Sequence, residues 1–173
     1  MSLYTRTGDQ GTTYCAVLKQ RVPKDHPIIE FVGALDEANS MLGLAKSLLP
    51  ETFKEESQII ENVQRLIFNA GFSPLTPDKI GSKDIEWTEK TIDRFYSNPL
   101  RHFILPGGHP ASAALHVART VLRRAERRLV AIQNSTPGIY PEYTLKLLNR
   151  LSDLLFALAL NINSRLGIQE TPL

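Results

Sequence analysis

The regular recurrence of apolar residues most limits what this chain can fold into. Between residues 27 and 166, apolar side chains return every three or four positions, which places them on one face of an α-helix. Prolines and glycines divide this pattern into five segments. The predicted helices cover approximately residues 27–49, 52–71, 83–96, 110–133 and 141–166. This pattern predicts an all-α fold, a five-helix up-down bundle with antiparallel neighbours.

Residues at the helix ends support these boundaries. Pro27 suits the first position of a helix, where its missing N–H does no harm. Thr52 and Glu55 have the spacing of a capping box, and Gly167 suits the position after the last helix. The sequence offers little evidence for strands. The candidates are TTYCAVL and HFIL, and residues 1–26 are predicted to be irregular.

Length and composition fit one domain over residues 1–173, with the irregular segment first and the bundle at about 27–166. The net charge of +2 argues against a dedicated nucleic-acid binder. A single cysteine, Cys15, excludes an intrachain disulfide and a cysteine-based zinc site. No uncharged stretch approaches the roughly 20 residues of a membrane span, and the polar N-terminus does not resemble a signal peptide. We therefore expect a cytoplasmic protein.

The fourth predicted helix carries five arginines in ten residues and one glutamate, within the sequence LHVARTVLRRAERRL. Arg119, Arg123 and Arg127 share one face, and Arg124 and Arg128 form an adjacent row. Two interpretations remain open. The arginines could be a solvated surface paired with acids on neighbouring helices. Alternatively they could clamp a polyphosphate, because the planar guanidinium fork matches phosphate oxygens.

Two glycine-containing segments could bind phosphate. TRTGDQGTT, at 5–13, combines glycines and hydroxyls in a way that suits a backbone nest, although such a short segment is more often a turn. LPGGHP, at 105–110, leads into the basic helix, where free N–H groups carry partial positive charge. Its alternative interpretation is a plain helix start.

Polar residues also interrupt two apolar helices. Asp36 lies next to the apolar stripe of the first helix, so we expect a partly buried carboxylate that pairs with the arginine face of the fourth. Asn149, Ser152 and Asp153 form a polar notch on the leucine-rich fifth helix. Such groups need partners, which could be a nucleotide base or ribose, or another helix.

The histidines give no sign of a metal site. His26, His102, His109 and His116 include no pair at helical i,i+4 spacing. His116, within the fourth helix, is predicted to be a packing residue. No Ser-His-Asp arrangement can be argued either. The residues favour phosphate or nucleotide binding without a side-chain nucleophile.

Five of these segments together resemble a known family. YTRTGDQGTT, GALDEANS, FILPGG, LHVARTVLRRAERR and LNRLSDLLFALA occur in this order between about residues 4 and 160. They resemble the motif set of the PduO-type ATP:cob(I)alamin adenosyltransferases. The resemblance implies a five-helix bundle that forms a homotrimer, with ATP bound at subunit interfaces and Mg²⁺ accompanying the ATP. It also implies transfer of the 5′-deoxyadenosyl group of ATP to the cobalt of cob(I)alamin, with release of triphosphate.

The resemblance also assigns roles to particular residues. Arg123 is the leading catalytic candidate, Phe103 would face the corrin, and Asp36 and Arg119 would form a salt bridge across the subunit interface. The resemblance implies that Mg²⁺ is bound mainly through the phosphates of ATP, and it names no protein ligand for the ion. Expected partners are a corrinoid reductase and an adenosylcobalamin-dependent enzyme. Binding to nucleic acid or to a membrane is not expected. The residues assigned to ATP are Thr5, Arg6, Thr7, Gly8, Thr13, Lys24, Arg123, Glu126, Arg127 and Asn149.

The sequence differs from the family pattern at Gln10, often a charged residue, at Leu160, often an arginine, and after GIQETPL, where some members have a longer aromatic-containing tail. We expect Gln10 to alter one phosphate or metal contact, and the short C-terminal segment to affect corrin binding more than ATP binding. Two other functions remain as alternatives. One is a non-enzymatic module that binds ATP or cobalamin. The other is a bundle that binds nucleic acid through the arginine helix, against which the near-neutral net charge counts.

Overall fold

The computed structural model describes residues 4–96 and 102–173, and within them the chain forms five α-helices. Each helix end lies within two residues of its predicted position. A single 3₁₀ turn, Pro77–Lys79, separates the second helix from the third. The helices are α1 (Pro27–Ser47), α2 (Lys54–Phe72), α3 (Ser82–Phe95), α4 (Pro110–Ser135) and α5 (Glu142–Arg165).

The basic helix α4 lies at the centre of the bundle. It packs against α1 on one side and α5 on the other, while α2 packs on α1 and α3 packs on α5. The apolar stripes predicted from the sequence form one core, in which Phe31, Leu122 and Leu151 are fully buried. Burying a side chain of this kind contributes about 1.5–3 kcal/mol. Among the described residues, no helix combines the length and apolar character needed to cross a bilayer.

Two small antiparallel sheets accompany the bundle. β1 (Thr12–Cys15) pairs with β2 (Gln20–Pro23), and β3 (Ile104–Leu105) pairs with β4 (Thr171–Pro172). The prediction that residues 1–26 are irregular was therefore wrong for the 12–23 hairpin. The strand candidates TTYCAVL and HFIL do contain β1 and β3. The hairpin strands are short, but they bury Cys15 and Val22 against the bundle, and this tertiary packing stabilises a hairpin whose local preference is weak.

Two helices begin with the same local arrangement. His26 and His109 each precede a proline, and each ring Nδ1 accepts a hydrogen bond from the backbone N–H two residues later, at 3.2 Å. The first-turn prolines need no such bond, so the start of α1 and of α4 is fixed by a His-Pro pair. At the other end of α5, Gly167 has φ +69°, as predicted for the residue after a helix.

The capping box predicted at Thr52 and Glu55 was wrong. The helix begins at Lys54, the residue before it is Phe53, and no side chain caps it. Phe53 is only 3% exposed, so burial of its ring fixes the start of α2 in place of a hydroxyl bond. A capping bond of this type occurs instead at α3, where the Gly81 N–H donates to Asp84 Oδ2 at 2.9 Å.

Asp84→Ala is expected to lower the free energy of unfolding by about 1 kcal/mol, because it leaves the Gly81 N–H without its partner. Thr52→Ala serves as the matched control and should change stability by less than about 0.5 kcal/mol, since Thr52 is an exposed residue outside any cap. Urea unfolding of both variants measures the difference. Equal losses in the two variants would contradict this assignment.

Candidate functional site

A cavity of about 970 Å³ opens between α3, α4, α5 and the segment around β3. Arg119 and Arg123 enter it from α4, and Phe156 and Asp153 from α5. Phe103, 84% exposed, lies on its rim. The cavity therefore combines cationic groups with apolar rings. Its volume is at the upper end of the range typical of ligand sites.

The two arginine rows of α4 have different surroundings. Arg124 forms an ion pair with Glu37 of α1, and Arg128 forms one with Glu30 at 2.6 Å. Arg119, Arg123 and Arg127 have no carboxylate within ion-pair distance among residues 4–96 and 102–173. The interpretation as a surface paired with acids on a neighbouring helix is confirmed for Arg124 and Arg128. For Arg119, Arg123 and Arg127, which have no such pairs among the described residues, the interpretation as a polyphosphate clamp remains a prediction.

Asp36 does not pair with α4 within the chain. We expected it to be partly buried and held by the arginine face, but it is exposed, and the α1 carboxylates that pair are those of Glu30 and Glu37. The reason is geometric: Asp36 lies one position before Glu37, which turns it about 100° around the helix, away from the arginines. The salt bridge between Asp36 and Arg119 of different subunits remains a prediction.

The guanidinium of Arg119 lies over an aromatic ring, and one of its N–H donors has no hydrogen-bond partner among the described residues. Its Cζ is 5.7 Å from the centre of the Phe156 ring, a cation–π distance. Its Nε is buried, with no hydrogen-bond partner in the described part of the chain. Burial, and then the charge of Arg123, lower the pKa of Arg119. A buried donor without a partner is uncommon, so this guanidinium is suited to a partner from outside the chain.

His116 packs against the same ring from one turn earlier on α4. Its ring centre lies 5.8 Å from that of Phe156, and the residue is 3% exposed. Burial, and then the charge of Arg119, lower the pKa of His116 to about 4. Its prediction as a packing residue is confirmed.

Asn149 belongs to a polar chain that links α4, α5 and α3. Its Nδ2 donates to Glu126 Oε1 at 3.1 Å, and its Oδ1 accepts from Arg150 Nη1 at 2.9 Å. The Nε of Arg150 in turn donates to Glu89 Oε1 at 2.8 Å. Asn149 and Glu126, both assigned to ATP, are thus brought together and oriented by protein groups. Arg150 was missed from the sequence because its partner is 61 residues away.

The other two residues of the predicted polar notch, Ser152 and Asp153, have different surroundings. Ser152 is buried, and its hydroxyl donates to the Asn149 carbonyl oxygen at 2.9 Å. Asp153 is exposed and lines the cavity. The predicted hydrogen bond to another helix is therefore found for Asn149, whose partner Glu126 lies on α4, and not for Ser152, which bonds within α5. Asp153 is available to a ligand.

The N-terminal segment folds back on the hairpin. The Nη2 of Arg21 donates to the carbonyl oxygens of Thr7 and Thr12, and Lys24 N–H donates to the Gly11 carbonyl oxygen at 2.9 Å. A Cβ on Gly8 would lie 3.4 Å from the Lys24 Nζ. The segment therefore brings this ammonium close to the threonine-rich loop. Arg21, which shapes the loop, was not identified from the sequence.

The remaining N-terminal candidates are placed as follows. Thr5 and Thr7 share a hydroxyl–hydroxyl hydrogen bond of 2.9 Å. Thr13 lies in β1 opposite Val22, and Arg6 is exposed with φ +58°. No residue of this N-terminal segment lines the larger cavity, which contains Arg123 and is called the Arg123 cavity below. Within one chain, the residues assigned to ATP therefore lie in two separate groups.

A second, smaller cavity of about 440 Å³ lies between the hairpin, α1 and α2. It is mostly apolar and includes Cys15, Asp36 and Phe68. No group of three or more His, Cys, Asp or Glu side chains is placed to hold a metal ion in the part of the chain that the structure describes.

Comparison with known proteins extends these observations. The family model for cobalamin adenosyltransferase matches residues 3–162. A corrinoid adenosyltransferase from Bacillus subtilis is 37% identical over 179 residues, which cover 98% of this chain and 91% of that protein. The corrinoid adenosyltransferase PduO of Citrobacter freundii is 41% identical over 169 residues, covering 92% of this chain and 49% of that protein. This chain therefore spans about half of the Citrobacter relative.

Solved structures show the same fold. A phenylalanine-to-alanine variant of a PduO-type ATP:corrinoid adenosyltransferase from Lactobacillus reuteri, complexed with cobalamin and ATP, has a TM-score of 0.89 at 32% identity, with 99% of both chains covered. An arginine-to-lysine variant from the same organism, complexed with ATP, has a TM-score of 0.88 at 31% identity, with 99% of this chain covered. Fold and site thus define a helical-bundle protein with a ligand cavity between its helices. More narrowly, the chain belongs to the cobalamin adenosyltransferase family. The predictions of the family and of the five-helix fold are confirmed.

Proposed function

We propose that this protein transfers the 5′-deoxyadenosyl group of ATP to the cobalt of cob(I)alamin, giving adenosylcobalamin and triphosphate. Membership of the cobalamin adenosyltransferase family supports this reaction. The observation that carries it is the cavity in which Arg123, without a carboxylate partner among the described residues, adjoins the aromatic rings of Phe103 and Phe156. Guanidinium groups suit phosphate, and exposed rings suit the apolar body of a corrin.

The reaction needs no nucleophile from the protein. The electron pair of Co(I) forms the new bond to C5′ of the ribose, and the bond between C5′ and the triphosphate oxygen breaks. That oxygen keeps the bonding pair, and the cobalt is formally oxidised to an alkyl-Co(III). The lone cysteine, Cys15, is buried and does not line the cavity that contains Arg123, which agrees with a mechanism that uses no thiol.

The protein has two tasks in this reaction. It must hold C5′ near the cobalt, because proximity can contribute about 7–11 kcal/mol. It must also stabilise the negative charge that grows on the departing triphosphate. We assign the second task to Arg123, an exposed guanidinium in the cavity, since a preorganised cation acts most strongly where charge develops.

We propose that the ATP site is completed by a second subunit, in a homotrimer. The N-terminal group around Thr7, Gly8 and Lys24 is separate from the Arg123 cavity in one chain, whereas a triphosphate would be held best by both. The exposed Asp36 and the unused Nε of Arg119 support a salt bridge between subunits. For Mg²⁺, the phosphate oxygens of ATP are the ligands we assign, because this hard cation prefers oxygen ligands and is commonly bound through substrate phosphates.

The test is an anaerobic assay of the purified protein with ATP, Mg²⁺ and chemically reduced cob(I)alamin. We expect ATP-dependent loss of the Co(I) absorbance, with adenosylcobalamin identified by its photolysis. Omission of ATP is the control for reoxidation of the corrinoid. Retained ATP binding without adenosyl transfer would instead support a non-enzymatic binding module.

A further inference from the structure

A buried amide on α5 forms hydrogen bonds to two segments outside its own helix. Asn163 is 1% exposed. Its Oδ1 accepts a hydrogen bond from the His109 N–H at 3.0 Å. Its Nδ2 donates to the Gly107 carbonyl oxygen at 3.1 Å and to Glu170 Oε1 at 2.9 Å. One side chain therefore ties the turn before α4 and the segment after α5 to the bundle.

The turn before α4 is shaped to receive this amide. Gly108 has φ +91°, in the left-handed region that favours glycine. A Cβ at this position would lie 2.4 Å from both Oδ1 and Nδ2 of Asn163. The backbone at residue 108 thus approaches the amide more closely than any other residue type allows.

The two tied segments together carry the rim of the larger cavity. Ile104 and Leu105 of β3 pair with Pro172 and Thr171 of β4, and the Leu173 N–H donates to the Phe103 carbonyl oxygen at 2.9 Å. The Phe103 side chain is largely exposed, so the position of its ring depends on its backbone, which this strand pair holds.

We propose that Asn163 is a positioning residue for the corrinoid, holding Phe103 and Leu173 at the cavity rim through the Gly107–His109 turn and Glu170. This rests on the proposed function. Asn163 itself does not line the cavity, so it acts only through the residues that it orients. The contacts involve the rim residues Phe103 and Leu173 and none of the residues assigned to ATP. In the LPGGHP turn, the N–H groups of His109 and Ala111 are already bonded to Asn163 Oδ1 and to His109 Nδ1, so we interpret this turn as a helix start and not as a phosphate site. The structure therefore predicts an effect on the corrinoid without an effect on ATP.

Asn163→Ala is expected to raise the KM for cob(I)alamin about tenfold, the size expected for losing one or two hydrogen bonds, with the KM for ATP within about twofold. Asn161→Ala is the matched control, two residues earlier on α5, where the amide Nδ2 donates to Glu56 Oε1 at 2.8 Å. It should leave both KM values unchanged. A purely structural role of Asn163 would instead lower thermal stability without separating the two substrates.

Glu170→Ala provides a second variant in case Asn163→Ala folds poorly. It removes only the bond to the segment after α5 and should raise the corrinoid KM less. The double variant should be no worse than Asn163→Ala alone, because both changes break the same connection. Hydrogen–deuterium exchange gives a readout without turnover: amides in 103–109 and 168–173 should exchange faster in Asn163→Ala but not in Asn161→Ala.

The outcomes separate the two proposals. A wild-type protein that adenosylates cob(I)alamin, with a corrinoid KM unchanged in Asn163→Ala, would overturn the role of Asn163 and leave the proposed function intact. Unchanged exchange in both segments would also overturn it. A wild-type protein that binds ATP without transferring the adenosyl group would overturn the proposed function, whatever the exchange shows.

Discussion

Arg123→Ala is expected to reduce kcat for adenosyl transfer by about 10²–10³-fold, the loss typical of removing one group that stabilises charge in the transition state. Arg123 lines the cavity, is exposed and has no carboxylate partner among the described residues. Its removal should therefore cost little folding stability. The KM for cob(I)alamin should change little, because the lost interaction strengthens as the triphosphate departs. Steady-state kinetics under anaerobic conditions measure both quantities.

Arg128→Ala is the matched control from the adjacent row of the same helix. Its guanidinium is paired with Glu30 at 2.6 Å and faces α1, away from the cavity. A partly exposed pair of this kind contributes about 0–1 kcal/mol, so kcat should stay within a few-fold of wild type. The kcat of Arg123→Lys should lie between those of Arg123→Ala and Arg128→Ala, since lysine keeps the charge but not the planar fork of the guanidinium. Equal losses in Arg123→Ala and Arg128→Ala would contradict the assignment.

The helices could be predicted from the sequence because their cause is local. Apolar spacing identified all five, and residues such as Pro27 and Gly167 marked their ends. The failed capping box shows the limit of this approach. Thr52 has the right spacing, but the burial of Phe53 depends on the assembled core, which a pattern of four residues does not contain.

The small sheets and the division of the arginines depend on contacts between distant residues. Strand β4 (171–172) pairs with β3 (104–105) from the other end of α4 and α5 in sequence, and no local signal connects HFIL with the residues at 171–172. The arginine rows were visible as two helical faces. Which row faces the carboxylates of α1 is decided by how α4 is rotated in the bundle, and the sequence does not give that rotation.

The candidate site could be predicted in part. The motifs led to Arg123, Glu126, Asn149 and Phe103, and the structure places Asn149 against Glu126 and both other residues at the cavity. The roles of these residues toward ATP and the corrin remain predictions. Positioning contacts such as those of Asn163 were missed, because a buried asparagine in a leucine-rich helix has no pattern that names its partners.

His116 should make folding stability depend on pH between about 4 and 6.5. Burial and the charge of Arg119 lower its pKa from 6.5 to about 4. Between these values the unfolded chain binds a proton that the folded chain does not, so stability rises with pH. The contribution is fully present above pH 6.5 and is lost as the pH falls toward 4. A difference of this size corresponds to a free energy on the order of 3 kcal/mol.

His116→Phe is expected to remove most of this dependence, because it keeps a ring against Phe156 and leaves no group to protonate. Chemical unfolding at fixed protein concentration, from pH 4 to pH 7, gives the slope. His102→Gln is the control, since it also removes one imidazole but from an exposed position away from the packing of His116 on Phe156. Glu61, whose pKa is held at about 2 by hydrogen bonds from Lys46 and Arg65, adds to the slope near the acid end of this range. It is present in wild type and in His116→Phe alike, so it cancels from the difference between their slopes. An unchanged slope in His116→Phe would show that the proton is taken up elsewhere, and the neutral, buried state of His116 would then be wrong.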